Sequence, residues 1–163
     1  MLILGERIWG RGLETGMDVR LLLLGMIGVT ACAAAPAAPT ALARGGPVAL
    51  GAGPVRLELP VSPALRDKAV SGGRLRLALD QLTAAAQPGV LYRVSLEDDP
   101  GPALGHINFY NVVTGGPAEF SFEATAPLAR AAKAGRIVVV ISPVGTPNPD
   151  ARAGIGRIAV FAR

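Results

Sequence analysis

Gly89–Asn111 reads GVLYRVSLEDDPGPALGHINFYN, and the reading of this stretch decides the fold. In its first part Val90, Tyr92, Val94 and Leu96 alternate with Leu91, Arg93, Ser95 and Glu97. Successive side chains of a strand leave opposite faces, so this alternation predicts a half-buried strand. Glu97-Asp98-Asp99-Pro100-Gly101-Pro102 then interrupts the ladder, because proline has no N–H to donate and Asp and Gly favour turns. His106 to Asn111 is expected to resume extended structure, with Ile107 and Phe109 on one face.

Working outward, the same alternation predicts strands at Val55–Leu59, Arg74–Asp80, Glu119–Glu123 and Arg157–Ala162. Ile137–Ser142 is a continuous run rich in β-branched residues, expected to be a central strand covered on both faces. Ser62-Pro63 offers an N-cap and a first-turn proline for a helix over Pro63–Val70, ended by Gly72-Gly73. A second helix is expected over Ala126–Ala134, capped by Thr125 and closed by Gly135. Thr83–Pro88, Val112–Pro117 and Pro143–Ala153 read as loops or turns. The sum is an all-β domain: a single antiparallel β-sandwich or small barrel of about seven strands with one or two short helices.

The chain before Val55 has a different character. Residues 1–16 show no period, and Met17 is an alternative start. Arg20 followed by the apolar run Leu21–Ala31 reads as a secretion signal, since about 20 apolar residues are needed to span a bilayer. Cys32, the single cysteine, ends this run in Val-Thr-Ala-Cys. That sequence resembles the lipobox of bacterial lipoproteins, which implies acylation of Cys32 and attachment to the membrane by a lipid anchor. Cleavage at an Ala-x-Ala site, with Cys32 incidental, is the other reading. Residues 33–54 are rich in Ala, Pro and Gly and nearly uncharged, which predicts a flexible tether. The division is therefore 1–32 signal, 33–54 linker and 55–163 folded domain. The expected destination is the bacterial cell envelope, lipid-anchored or periplasmic or secreted.

The net charge of +4 comes from scattered arginines, with aromatics at 4%. Nucleic-acid binders cluster basic and aromatic residues, so no nucleic-acid partner is expected. One cysteine and one histidine, His106, do not make a set of metal ligands. The acidic triplet Glu97–Asp99 lacks the spaced oxygens of a calcium loop and reads as a solvated turn. No serine sits in a G-x-S-x-G elbow, leaving Ser142 and His106 as the only weak hydrolase pair. The residues predict no cofactor and no catalytic centre.

Taken in order, several motifs resemble the C-terminal β-sandwich domain that follows the dicopper domain in bacterial tyrosinases and plant polyphenol oxidases. They are Arg56–Leu59 with Leu75–Leu79, Pro88-Gly89-Val90-Leu91-Tyr92-Arg93-Val94-Ser95-Leu96, and Gly105-His106-Ile107-Asn108-Phe109-Tyr110. After them come Glu119–Glu123, Ala126–Ala134, Ile137–Pro143 and Gly156-Arg157-Ile158. The resemblance covers nearly all of Val55–Phe161 but not the dicopper domain, whose histidines are absent. It implies a non-catalytic accessory protein that docks on or caps a separately encoded tyrosinase-like oxidase. The implied partner-binding residues are His106, Phe109 and Tyr110, one of the two rings being inserted into the partner. Tyr110, on the opposite face from the core-facing Phe109, is the better candidate. The competing reading is a structural lipoprotein or small-ligand-binding β-sandwich unrelated to copper.

Overall fold

The computed structural model describes residues 39–115 and 119–163. Cys32, the signal segment and the start at Met1 or Met17 lie outside them. In chain order the strands are β1 Ala41–Gly45, β2 Val48–Ala49, β3 Val55–Leu59, β4 Leu75–Thr83 and β5 Leu91–Leu96. They continue as β6 Gly105–Ile107, β7 Glu119–Glu123, β8 Ile137–Val144 and β9 Gly154–Ala162. The helices are α1 Pro63–Val70, α2 Tyr110–Val113 and α3 Thr125–Lys133, with a 3-10 turn at Pro149–Ala151.

Two antiparallel sheets form a β-sandwich. One has the order β1-β9-β4-β7, with β2 also pairing to β9, and the other has the order β3-β8-β5-β6. Neither closes into a barrel among the described residues. Alternation works as expected in β5, where Tyr92, Val94 and Leu96 are buried and Leu91 and Arg93 are exposed. Strand β8 is interior to its sheet, as its β-branched run predicts. The core between the sheets is built mostly from Leu, Ile and Val, with Tyr92 and Phe109 as its largest fully buried side chains. Their rings meet edge to face at 5.7 Å, the arrangement that ring quadrupoles favour.

Two corners of the sandwich are closed by glycine. At one, a β-carbon on Gly45 would stand 2.5 Å from Leu57 and 2.7 Å from Leu59, so only glycine lets β1 come down onto β3. At the other, Gly105 in β6 lies directly against the ring of Phe122 in β7. The organising stretch of the sequence thus supplies one of these two seams.

Helices α1 and α3 cross between the sheets at the same end and pack on each other. Ser62 caps α1 as expected, its Oγ accepting from Leu65 N at 3.2 Å. Both helices end in the same way. Gly73 N donates to Lys68 O at 3.0 Å and Arg136 N to Ala131 O at 3.2 Å, with Gly72 and Gly135 at φ 72° and 82°. Glycine takes this left-handed conformation without steric penalty.

Three expectations are corrected. The stretch taken as a tether, residues 33–54, is structured from Ala41: β1 and β2 pair with β9, and Ser62 Oγ donates to Leu42 O at 2.7 Å. The fold therefore begins before Val55, with nine strands among the described residues. Strand β1 reads ALARG, too short and too poor in large apolar residues to show a strand period. Second, Thr125 does not cap α3. Its hydroxyl accepts from Leu75 N at 2.9 Å and donates to Leu75 O at 3.4 Å, tying the helix to β4. Third, extended structure stops at Ile107. Asn108 Oδ1 accepts from Tyr110 N at 3.1 Å, and this local bond turns the chain into α2 in place of a longer strand.

Candidate functional site

The end of the sandwich opposite α1 and α3 carries most of the exposed apolar surface. Among the described residues the exposed large hydrophobics are Leu91, Tyr110, Val113, Val144 and Val70. The first four belong to this loop end. Leu91 and Val144 face each other across β5 and β8, and Tyr110 and Val113 lie on α2 just beyond β6. Val70 is on α1, at the helical end.

The three residues singled out for a partner are separated by the fold. Phe109 is 1% exposed and belongs to the core against Tyr92, so it cannot be an inserted ring. This removes Phe109 from the implied partner-binding set and leaves Tyr110, the ring already expected on the opposite face, as the exposed one. Tyr110 is 67% exposed. Its backbone is pinned by Gln87, whose side-chain amide donates to Phe109 O at 3.4 Å and Tyr110 O at 3.2 Å. His106 is exposed on the edge strand β6, opposite Arg93. Arg93 is also the register partner of Ser142, so β5 lies between His106 and Ser142. Two strand spacings, about 9.6 Å, separate that pair, too far for a hydrogen bond.

The acidic loop is neither freely solvated nor open to a cation. Glu97 pairs with Arg56, and Arg136 reaches Glu97 at 3.4 Å and Asp98 at 2.9 Å. Asp99 accepts from Arg130 at 2.5 Å, which holds its carboxyl below the usual range. The bond Arg136 donates to Asp98 raises the pKa of Arg136. Three arginines, from β3, from α3 and from the residue just before β8, thus neutralise the loop at the helical end. Among the described residues no group of three or more His, Cys, Asp or Glu comes together to hold a metal.

Two depressions escaped the sequence reading. On the outer face of the first sheet, a groove of about 320 Å³ is bordered by Arg44, Arg76, Asp80, Arg157 and Phe161. Arg157 closes on Asp80 with Nε at 2.7 Å, and Arg76 lies over the Phe161 ring at 5.2 Å. These arginines are already engaged within the sheet. At the loop end, a cleft of about 250 Å³ is lined by Leu50, Tyr92, Pro147, Pro149, Ala151 and Arg152, among others. Tyr92 is 1% exposed, yet no buried side-chain polar atom among the described residues lacks a partner, so its hydroxyl is the part of the side chain that meets solvent. Burial raises its pKa, because the charged phenolate is poorly solvated there. Strand periodicity marked Tyr92 as core but could not show that its polar tip ends at a surface.

No helix among the described residues is long and apolar enough to cross a membrane. No family model matches the chain, and no curated protein matches it.

Proposed function

We propose that this protein is a non-catalytic accessory domain of the bacterial cell envelope that docks by its loop end on a dicopper oxidase of the tyrosinase class. The class of partner comes from the motif resemblance, and the envelope location from the lipobox-like segment ending at Cys32. The observation that carries the docking reading is Tyr110. A tyrosine held 67% exposed by two backbone bonds from Gln87, beside Val113, is a positioned aromatic anchor. Tyrosine suits this role because it buries a large area yet keeps a polar tip. His106 on the neighbouring edge strand adds a polar contact at the rim.

The test is affinity purification of the tagged full-length chain from membranes of its own source, with copper and diphenol oxidase activity measured in the eluate. Copper oxidase is expected with the wild-type chain and with Val70→Ala, whose exposed side chain lies at the other end. Recovery is expected to fall by about tenfold with Tyr110→Ala, since an aromatic anchor contributes on the order of 2 kcal/mol. Wild-type eluates free of copper and oxidase activity would refute the reading, as would equal recovery by Tyr110→Ala.

A further inference from the structure

We infer that the loop-end cleft beneath the proline-rich turn is a binding site for a small monocarboxylate with an apolar body. This inference does not depend on the docking reading. The cleft has three parts, each with its own chemistry. Leu50, Pro147, Pro149 and Ala151 make apolar walls. Tyr92 lines it from within the core, 1% exposed, with a hydroxyl that bonds to no described residue. No buried side-chain polar atom among the described residues lacks a partner, so this hydroxyl is reached by solvent at the cleft and is free to exchange water for a ligand oxygen.

Arg152 supplies the third part. It lines the cleft while remaining exposed, and no described carboxylate pairs with it, including Asp150 two residues before. Its backbone is left-handed, at φ 45° and ψ 44°. A side chain other than Gly or Asn is disfavoured there by on the order of 1 kcal/mol. Glycine would relieve that strain but would take the guanidinium from the cleft.

The chemistry of the ligand follows. A guanidinium pairs with a carboxylate through two parallel bonds, and a neutral phenol can donate a further one. A phosphate is more strongly hydrated and needs more donors than one guanidinium and one hydroxyl. The apolar walls call for a hydrocarbon or aromatic body. The volume of about 250 Å³ lies just under the ~300–1,000 Å³ of drug-sized sites, so the ligand is short.

The test is a titration of the purified chain with benzoate and with benzyl alcohol, its neutral counterpart, followed by backbone amide NMR. Benzoate is expected to saturate at millimolar concentration and to shift the amides of Leu50, Ala151 and Ala153. Benzyl alcohol is expected to bind at least about tenfold more weakly, which is the loss of one charged pair. Arg152→Gly is the decisive variant. It should bind benzoate about tenfold more weakly while its thermal midpoint stays level or rises, which separates the ligand contact from the fold. Tyr92→Phe, if its midpoint shows it folded, should weaken benzoate by about fivefold. Absence of saturation by the folded wild-type chain would overturn the site. So would benzyl alcohol binding as tightly as benzoate, or undiminished benzoate binding by Arg152→Gly. These titrations contain no oxidase, so their failure leaves the docking reading intact.

Discussion

Gly105 and Phe122 meet across the two sheets so closely that no β-carbon fits between them. Gly105 opens β6, and Phe122 sits in β7 at the edge of the other sheet. The contact seals one long side of the sandwich. A methyl group here must push either a half-buried ring or a strand aside. Gly105→Ala is therefore expected to destabilise the fold by about 1–3 kcal/mol, the usual cost of overpacking a well-filled site. Urea unfolding followed by circular dichroism measures this, and a change under about 0.5 kcal/mol would show that the seam yields easily.

Phe109 and Tyr110 are adjacent in sequence but differ in what they support. Phe109→Ala removes a fully buried ring and its edge-to-face contact with Tyr92, and should cost about 3–5 kcal/mol. Tyr110→Ala removes an exposed ring and should leave stability within about 0.5 kcal/mol. Denaturant midpoints of the two variants check this contrast. Equal losses would mean that Tyr110 also packs into the core.

The strands before Val55 are expected to be structural. Removing residues up to Pro54 deletes β1 and β2 and uncovers one edge of β9. It also strands the hydroxyl of Ser62, which now donates to Leu42 O. The truncated chain should unfold at a lower denaturant concentration and show faster amide exchange in β9. A truncated chain as stable as the full one would return this segment to the status of a tether.

Acid should loosen the helical end first. Arg130 lowers the pKa of Asp99, so the folded value lies below the unfolded value of about 3.9. The stabilisation is then complete above about pH 4 and is lost as pH falls through the lowered folded value. Asp99→Asn should remove that part of the acid dependence, as measured by unfolding midpoints at a series of pH values below neutrality. An unchanged acid profile would count against the pair.

Alkali acts at the opposite end. Burial raises the pKa of Tyr92 above its usual value of about 10. The folded form is favoured below that value, and the advantage is lost as pH rises through the raised folded pKa. Ultraviolet absorbance of the tyrosinate should show one tyrosine ionising late, and Tyr92→Phe should abolish that phase. A single early phase in the wild type would contradict the burial.

The sandwich was legible in the chain because strand alternation is local. Tyr92, Val94 and Leu96 show their burial through spacing alone, and Ser62-Pro63 with Gly72-Gly73 bounds α1 within a dozen residues. Where the reading failed, the missing partner was distant in sequence or the pattern was faint. Nothing around Thr125 reveals that Leu75 will take its hydroxyl, and nothing in Glu97–Asp99 reveals arginines from three other elements. The strands β1 and β2 contain too few large side chains to show a period.

From the order of residues alone came the fold class, the strands of the core and the caps of α1, since these depend on backbone preference and hydrophobic spacing between near neighbours. Tertiary structure alone decided that extended structure ends at Ile107, that the acidic loop is neutralised, and that Tyr92 and Arg152 share one cleft. Those outcomes depend on which side chains meet through space, and packing of the two sheets sets that.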